Sequence, residues 1–434
     1  MRTSRKDTQR DRLLQGMTHV AAHDGYAATT VAKVIAEAGV SRPTFYDYFT
    51  NREACFLAAL AHIQRHALTE IRRATESAPP DQVASATITA LVEFADSSPM
   101  PARMLMVQSL TGVPRALDAR DRTLEAIAQP IEAVLDQLPA DALAPDLSAR
   151  VMVGAVDRML AARLKHDKAL SPTLLGEILA WVASYEQPID KHRWRSLRPI
   201  APPELSPLAI RLAEPPALPP GRPRLSKEDI EANHRQRILL AAARASVGKG
   251  YAATTAAEIT TLAGVDGRVF HRLFRDKQEL LSALLELSFQ HVMSVTAGAF
   301  FAAKTWPDRV WDAGRTFAQC LEQNHMLAHM GFIETYAGGM DAVKRAEGFL
   351  NAFTLFLRDD NEQGTQLTPP SRVALDAIAA SNFEIVYRQV RASSTPDLAG
   401  LLPHVTYLTL APFLGSDAIN KFIARKIAAE KRAT

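Results

Sequence analysis

Apolar positions recur at helical spacing along most of the chain. Leu13, Leu14, Met17 and Ala21 form one stripe, and Val31, Val34, Ile35 and Ala38 form the next. Phe56, Leu57, Leu60 and Ile63 follow after a break. Further on, Val151, Ala155, Val156, Met159 and Leu160 share one face, as do Ile178, Leu179 and Val182. No stretch sustains period-two alternation between turn signals, so the pattern predicts an all-α protein. Breaks between the stripes carry helix punctuation. Thr29 or Thr30 is placed to cap a short helix that ends at Gly39; Ser41 is placed to cap the next, with Pro43 in its first turn.

The pattern also repeats. GYAATT occurs at Gly25–Thr30 and again at Gly250–Thr255, an offset of 225 residues. Without gaps, that offset pairs Ala38-Gly39-Val40 with Ala263-Gly264-Val265, Phe45 with Phe270 and Phe49 with Phe274. Residues 10–60 and 235–285 share 17 identities in 51 positions. One hexamer arises by chance; colinear identities in one register indicate duplication, so the chain reads as two copies of one architecture.

Ten prolines fall between residues 187 and 224, a density that stops helices and favours extended backbone. The expected division is therefore five parts: residues 1–61 and 225–290 as short N-terminal helical domains, 62–186 and 291–434 as helical bundles, and 187–224 as a proline-rich linker. At 434 residues the chain exceeds the length of one ordinary domain, which agrees with this division. Its 47% hydrophobic and 22% charged composition excludes wholesale disorder. The reading finds no apolar run long enough to span a bilayer and no secretory h-region in MRTSRKDTQRDRLL, so no membrane partner is expected. Two cysteines, Cys55 and Cys320, are too few for a disulfide framework or a cysteine zinc site and fit a reducing cytoplasm. Net charge is only +3, but residues 1–60 carry 8 basic against 6 acidic groups and residues 221–280 carry 11 against 7. Both N-terminal domains are thus mildly basic.

Two short helices joined by a glycine turn form a helix-turn-helix, whose second helix enters the DNA major groove. Phe45 and Phe49, four apart, anchor that helix (roughly Arg42 to Phe49) to a small core. Arg42, Thr44, Tyr46 and Tyr48 then point elsewhere, a polar set suited to bases and phosphates. A solvated helix face is the plainer reading of those residues. Recurrence of the same turn in register favours DNA.

GYAATTVAKVIAEAGVSRPTFYDYFTNREACFLAAL and KGYAATTAAEITTLAGVDGRVFHRLFRDKQELLSALL both resemble the DNA-binding domain of the TetR family of transcriptional regulators. The resemblance covers about 50 residues in each copy, and LPHVTYLTLAPFLGSDA (Leu402–Ala418) resembles the last helix of some members. It implies that Thr30, Tyr46, Tyr48 and Arg52 meet phosphates, with Arg42 and Thr44 as base readers and Ser41 at the helix start. The second copy departs from this pattern. Thr255 and Lys277 keep the threonine and the basic residue, whereas His271 and Leu273 replace the two tyrosines. Gly267 replaces the arginine, and Arg268 and Arg272 stand where the first copy has Pro43 and Asp47. The second head is therefore expected either to read a different half-site or to bind mainly through charge. Arg222 and Arg224, in PGRPR, resemble a minor-groove arm, with the end of a linker as the equal alternative.

The family uses the region after the head for pairing and for enclosing a small ligand. Expected pairing helices are 146–165 with 172–186, and 373–391 with 397–414; four in one chain suggest a single-chain pseudo-dimer with heads roughly 34 Å apart on DNA. Association of two such chains into a homodimer, giving four heads, stays open beside it. Phe317, Cys320, Phe332, Tyr336, Phe353 and Phe356 are candidates for lining an effector cavity, with plain core the more frequent outcome for such residues. His325 and His329, like His62 and His66, have metal-ligand spacing, but no further ligand accompanies either pair, so neither a metal nor a cofactor is expected. No catalytic motif stands out. The expected function is a ligand-responsive repressor on an asymmetric operator, with an effector-independent architectural DNA-binding protein as the alternative and an enzyme disfavoured.

Overall fold

The computed structural model describes residues 5–110, 113–137, 149–165, 170–185, 212–218, 225–335, 371–393 and 397–433, with Gly348, Thr354 and Leu357. Most of these residues are helical, and no strand occurs among them. The all-α expectation holds.

The chain divides into two compact units. The first comprises residues 1–191 together with 365–384 and 411–416. Its first repeat supplies α1 (Arg5–Asp24), α2 (Val31–Ala38), α3 (Arg42–Tyr48), α4 (Arg52–Glu76), α5 (Val83–Ser97), α6 (Pro99–Met106), α7 (Pro114–Leu135), α8 (Ala149–Lys165) and α9 (Leu174–Ala183). Leu13, Leu14, Met17 and Ala21 of α1 are buried together with Val34, Ala38, Phe45 and Phe49, so the first stripe is the core of a small head. Buried residues then run the length of α4, from Cys55 and Phe56 to Ile63, Ala67 and Ile71. The α8 stripe is buried in full. Ile178 is buried on α9, but Leu179 and Val182 are only partly covered, because Leu174 and Trp181 share the inward face.

The second unit comprises residues 192–364, 385–410 and 417–434. Described helices of the second repeat are α10 (Lys227–Ser246), α11 (Ala256–Ala263), α12 (Gly267–Leu273), α13 (Lys277–Ala302), α14 (Trp306–Gln323), α15 (His325–Phe332), α16 (Arg372–Ala392), α17 (Leu402–Leu414) and α18 (Ser416–Ala433). Its head core gathers Ile238, Leu239, Ile259, Phe270, Phe274, Leu280 and Leu284.

Three features differ from the sequence expectation. First, α18 follows the helix expected to be last. Gly415, at φ +82°, breaks the chain direction after α17, and Ile419, Phe422, Ile423 and Ile427 then bury a new stripe. Within the second unit, Phe422 meets Trp311 edge-on and Lys426 pairs with Asp308 at 2.7 Å. Second, α13 is long and apolar enough, by length and composition alone, to cross a membrane, contrary to the expected absence of such a segment. Leu280, Leu281, Leu284 and Leu285 bury its head-facing side instead. Third, residues 212–218, placed in the linker, lie along α10. Gln236 donates to the Ala213 carbonyl (2.9 Å), Asn233 donates to the Pro216 carbonyl (3.0 Å), and the Leu212 amide donates to Asn324 (2.9 Å).

Candidate nucleic-acid interface

Local chemistry builds the same frame in both heads. The Thr30 hydroxyl accepts from the Lys33 amide at 3.2 Å and Thr255 accepts from Glu258 at 3.2 Å, so the second threonine of each pair is the cap. The first threonine turns inward: Thr29 and Thr254 are buried and donate to the carbonyls of Gly25 (2.9 Å) and Gly250 (3.0 Å). Helix α2 ends at Gly39 (φ +59°) and α11 at Gly264 (φ +60°), the left-handed backbone that favours glycine. An arginine from the first helix closes each end: Arg12 donates to the Gly39 carbonyl at 2.8 Å and Arg237 to the Ala263 carbonyl at 2.9 Å. Arg10 lies over the Phe49 ring (5.9 Å) and Arg235 over Phe274 (4.7 Å).

One ion pair is inverted between the copies. Asp24 pairs with Lys33 at 2.6 Å; at the matching positions Lys249 pairs with Glu258 at 2.5 Å. The bond to Lys249, with the cap bonds to Thr255, holds the Glu258 carboxyl down at about 2. The bonds to Lys33 and His23 likewise hold Asp24 below the ordinary aspartate range. The attraction survives with its charges exchanged, so the geometry of this turn, more than its charge, is common to both copies.

The helix after the glycine turn presents the candidate reading face. Ser41 caps α3, accepting from the Thr44 amide at 3.3 Å, while the two hydroxyls share a hydrogen bond of 2.8 Å. Phe45 is buried with Phe49, 5.8 Å between ring centroids, and this anchor turns Arg42 and Tyr46 outward. Tyr46 is 48% exposed, while Tyr48 and Thr44 are partly covered. In the second head Asp266 caps α12 through the Arg268 amide (2.7 Å). Phe270 and Phe274 repeat the anchor at 5.9 Å. Arg268, His271 and Arg272 are exposed, with Arg272 3.7 Å from Glu231. Tyr46 stands edge-on to Phe45 and His271 edge-on to Phe270, both at 5.3 Å and 83°, so the imidazole occupies the tyrosine's place.

Arg52 and Lys277 have an occupation that sequence reasoning missed. Arg52 donates to the Thr29 carbonyl at 2.6 Å and lies 4.3 Å over the Tyr26 ring. Lys277 donates to the carbonyls of Tyr251, Ala252 and Thr254, at 3.1, 3.1 and 2.5 Å. Partial burial, with Lys249 nearby, lowers the Lys277 ammonium below the ordinary lysine range. Both cations thereby seal the turn that precedes the second helix of the head. The signal was available: a basic residue stands at one offset-matched position in both copies.

The remaining candidates fall in different places. Arg222 and Arg224 lie outside the described residues, as do Tyr336, Phe353 and Phe356. Phe317 and Phe332 pack against one apolar cluster that contains Cys320, Val292, Leu321 and Leu398. Cys320 is buried, and desolvation pushes its thiol up to about 11. His329 lies 3.2 Å from Glu334.

Residues 13–59 and 238–284 match the family model described as bacterial regulatory proteins, tetR family. No curated protein matches the chain. Among solved structures, the fatty acid degradation regulator FadR from Bacillus halodurans is similar at 15% identity and a TM-score of 0.35, over 40% of this chain and 96% of that one.

Proposed function

From two tetR-family DNA-binding domains carried in tandem by one chain, at residues 13–59 and 238–284, we propose a single-chain pseudo-dimeric repressor that binds an asymmetric operator. The observation that carries this reading is the pair of heads: one frame, two reading faces. Arg42, Thr44, Tyr46 and Tyr48 face the first half-site, with Ser41 at the helix start. Thr30 and the outer edge of Arg52 lie toward its phosphates. At the second half-site Arg268, His271 and Arg272 form the face, flanked by Thr255 and Lys277. Unlike faces on like frames read unlike half-sites.

Composition of the first compact unit supports pairing inside one chain, because residues 365–384 of the second repeat belong to it. There Glu384 is fully buried, 2.8 Å from Arg150 and 2.9 Å from Arg158 of α8. Burial acts to raise its pKa, and Arg158, Arg150 and Arg120 more than offset this, holding it at about 2. Such a fully desolvated carboxylate persists only with its guanidinium partners in place. Arg120 and Asp157 form a second buried pair beside it.

Repression follows from occupancy of the operator, and release by a small molecule is the family's mode of control. Selection of bound sequences from random duplex DNA by the full chain, followed by footprinting, tests the reading. The expected result is two dissimilar half-sites; a perfect inverted repeat would exclude it. Thermal shift against a panel of metabolites tests the effector, with a saturable rise in melting temperature as the expected result.

A further inference from the structure

In each repeat, one buried side chain from just beyond the sixth helix reaches the turn that opens the DNA-binding motif. The Gln108 carboxamide oxygen accepts from the Tyr26 amide at 3.0 Å, and a Glu334 carboxylate oxygen accepts from the Tyr251 amide at 2.9 Å. Tyr26 and Tyr251 are offset by 225 residues, Gln108 and Glu334 by 226, so both bonds join the same two places in the fold. Both side chains are buried. Gly25 and Gly250, at φ +84° and +83°, precede the two tyrosines. A Cβ on Gly250 would stand 3.4 Å from Glu334, so the second turn passes close over its acceptor. The tyrosine amide is the point from which the chain runs to the cap, the short helix and the reading helix. Fixing it to the body fixes where that sequence of elements begins.

Chemistry at the two places differs. Position five of α6 is Arg103, whose guanidinium donates to the Leu164 carbonyl (2.9 Å) and reaches the Ala22 carbonyl (3.4 Å). Position five of α15 is His329, 3.2 Å from Glu334. A permanent cation and a neutral amide thus stand in the first repeat, and an imidazole and a carboxylate in the second. The charged groups around the second site are His329 on α15, the Lys249–Glu258 pair spanning the turn and α11, and Lys277 at the start of α13, which lies over the Tyr251 ring (5.1 Å).

We propose that Gln108 and Glu334 are positioning residues for DNA binding, each latching one head to its own body. An amide and a carboxylate both offer the acceptor oxygen, so the bond tolerates exchange between them and fails with alanine.

Hydrogen exchange on the full chain, without DNA, tests the latch itself. In Gln108→Ala, exchange at residues 25–30 speeds by about tenfold while residues 250–255 keep the wild-type rate; Glu334→Ala gives the converse. Gln108→Glu and Glu334→Gln retain near wild-type exchange in both turns. On a duplex selected by the wild-type chain, Gln108→Ala weakens protection of one half-site and Glu334→Ala of the other, by about tenfold each. Equal loosening of both turns, no loosening in either, or Glu334→Gln behaving as Glu334→Ala would overturn the proposal. Because exchange is read without DNA, its outcome is independent of whether the operator reading holds.

Discussion

At the scale of single residues, the two heads separate what builds a reading helix from what reads. Phe45 with Phe49 and Phe270 with Phe274 share one anchoring geometry, and Arg12 and Arg237 close their glycine turns alike. The four phenylalanines are buried, and the two arginines stand on the first helix of each head. Within the two reading helices the positions that differ are the exposed and partly covered ones, with Arg268 and Arg272 in place of Pro43 and Asp47. Arginine contributes to DNA affinity by displacing counterions, at a slope of about 0.9 in log K against log salt for each phosphate neutralised. Arg268→Ala is therefore expected to reduce the salt slope of second-site binding by about one if it meets phosphate. If it reads a base edge, the slope holds and preference at one base pair relaxes. Fluorescence anisotropy at several salt concentrations separates these outcomes. Tyr46→Ala affects the first half-site alone, because Tyr46 is 48% exposed on α3 and contributes little to the core.

At the scale of elements, the short helices are set by their ends. A helix of 8 residues is too short to persist by propensity, so α2 depends on the Thr30 cap and on the Gly39 stop. A Cβ at Gly39 would stand 2.5 Å from the Arg12 guanidinium and hold φ +59° at a cost. Gly39→Ala is expected to destabilise the first head by about 1–2 kcal/mol, from left-handed strain and displacement of Arg12. Urea denaturation reads this as a lower midpoint at unchanged slope. Gly264→Ala acts in the same direction in the second head, where Arg237 is 3.0 Å away. These elements were legible in the sequence because cap, stop and anchor are local signals, and duplication displayed each of them twice. The cap itself was left open between Thr29 and Thr30; only burial of Thr29, an effect of packing, separates them. Helix α18 escaped notice because its stripe of Ile419, Phe422, Ile423 and Ile427 begins directly after a helix expected to be last. The Gln108 and Glu334 bonds, 82 and 83 residues long in sequence, leave no periodic trace at all.

At the scale of the whole molecule, the buried charges of the first compact unit decide how firmly residues 371–384 of the second repeat are held in it. Glu384 is matched by Arg150 and Arg158, and Arg158 also lies 4.1 Å over the Phe383 ring. Gly154 makes room for this arrangement. A Cβ there would stand 2.7 Å from Glu384 and 2.8 Å from Arg150, so Gly154→Ala forces the carboxylate off its partners. Removing one member of a buried pair leaves the others desolvated and unmatched, at about 3–5 kcal/mol. Glu384→Ala is expected to cost that much in denaturant unfolding. The pH dependence has a definite sign. With its folded pKa depressed to about 2, Glu384 contributes stability that is fully present above its unfolded pKa near 4.5 and is lost as pH falls from there toward 2. Asp157 shifts the opposite way, raised chiefly by burial despite Arg120; Glu384 is the smallest of the causes of that shift, so most of it is common to wild type and variant. The stability gap between wild type and Glu384→Gln should therefore be widest above pH 5 and narrow steadily as pH falls below about 4. A gap that stays constant from pH 6 to 3 would mean that Glu384 is not held as a carboxylate by its two arginines.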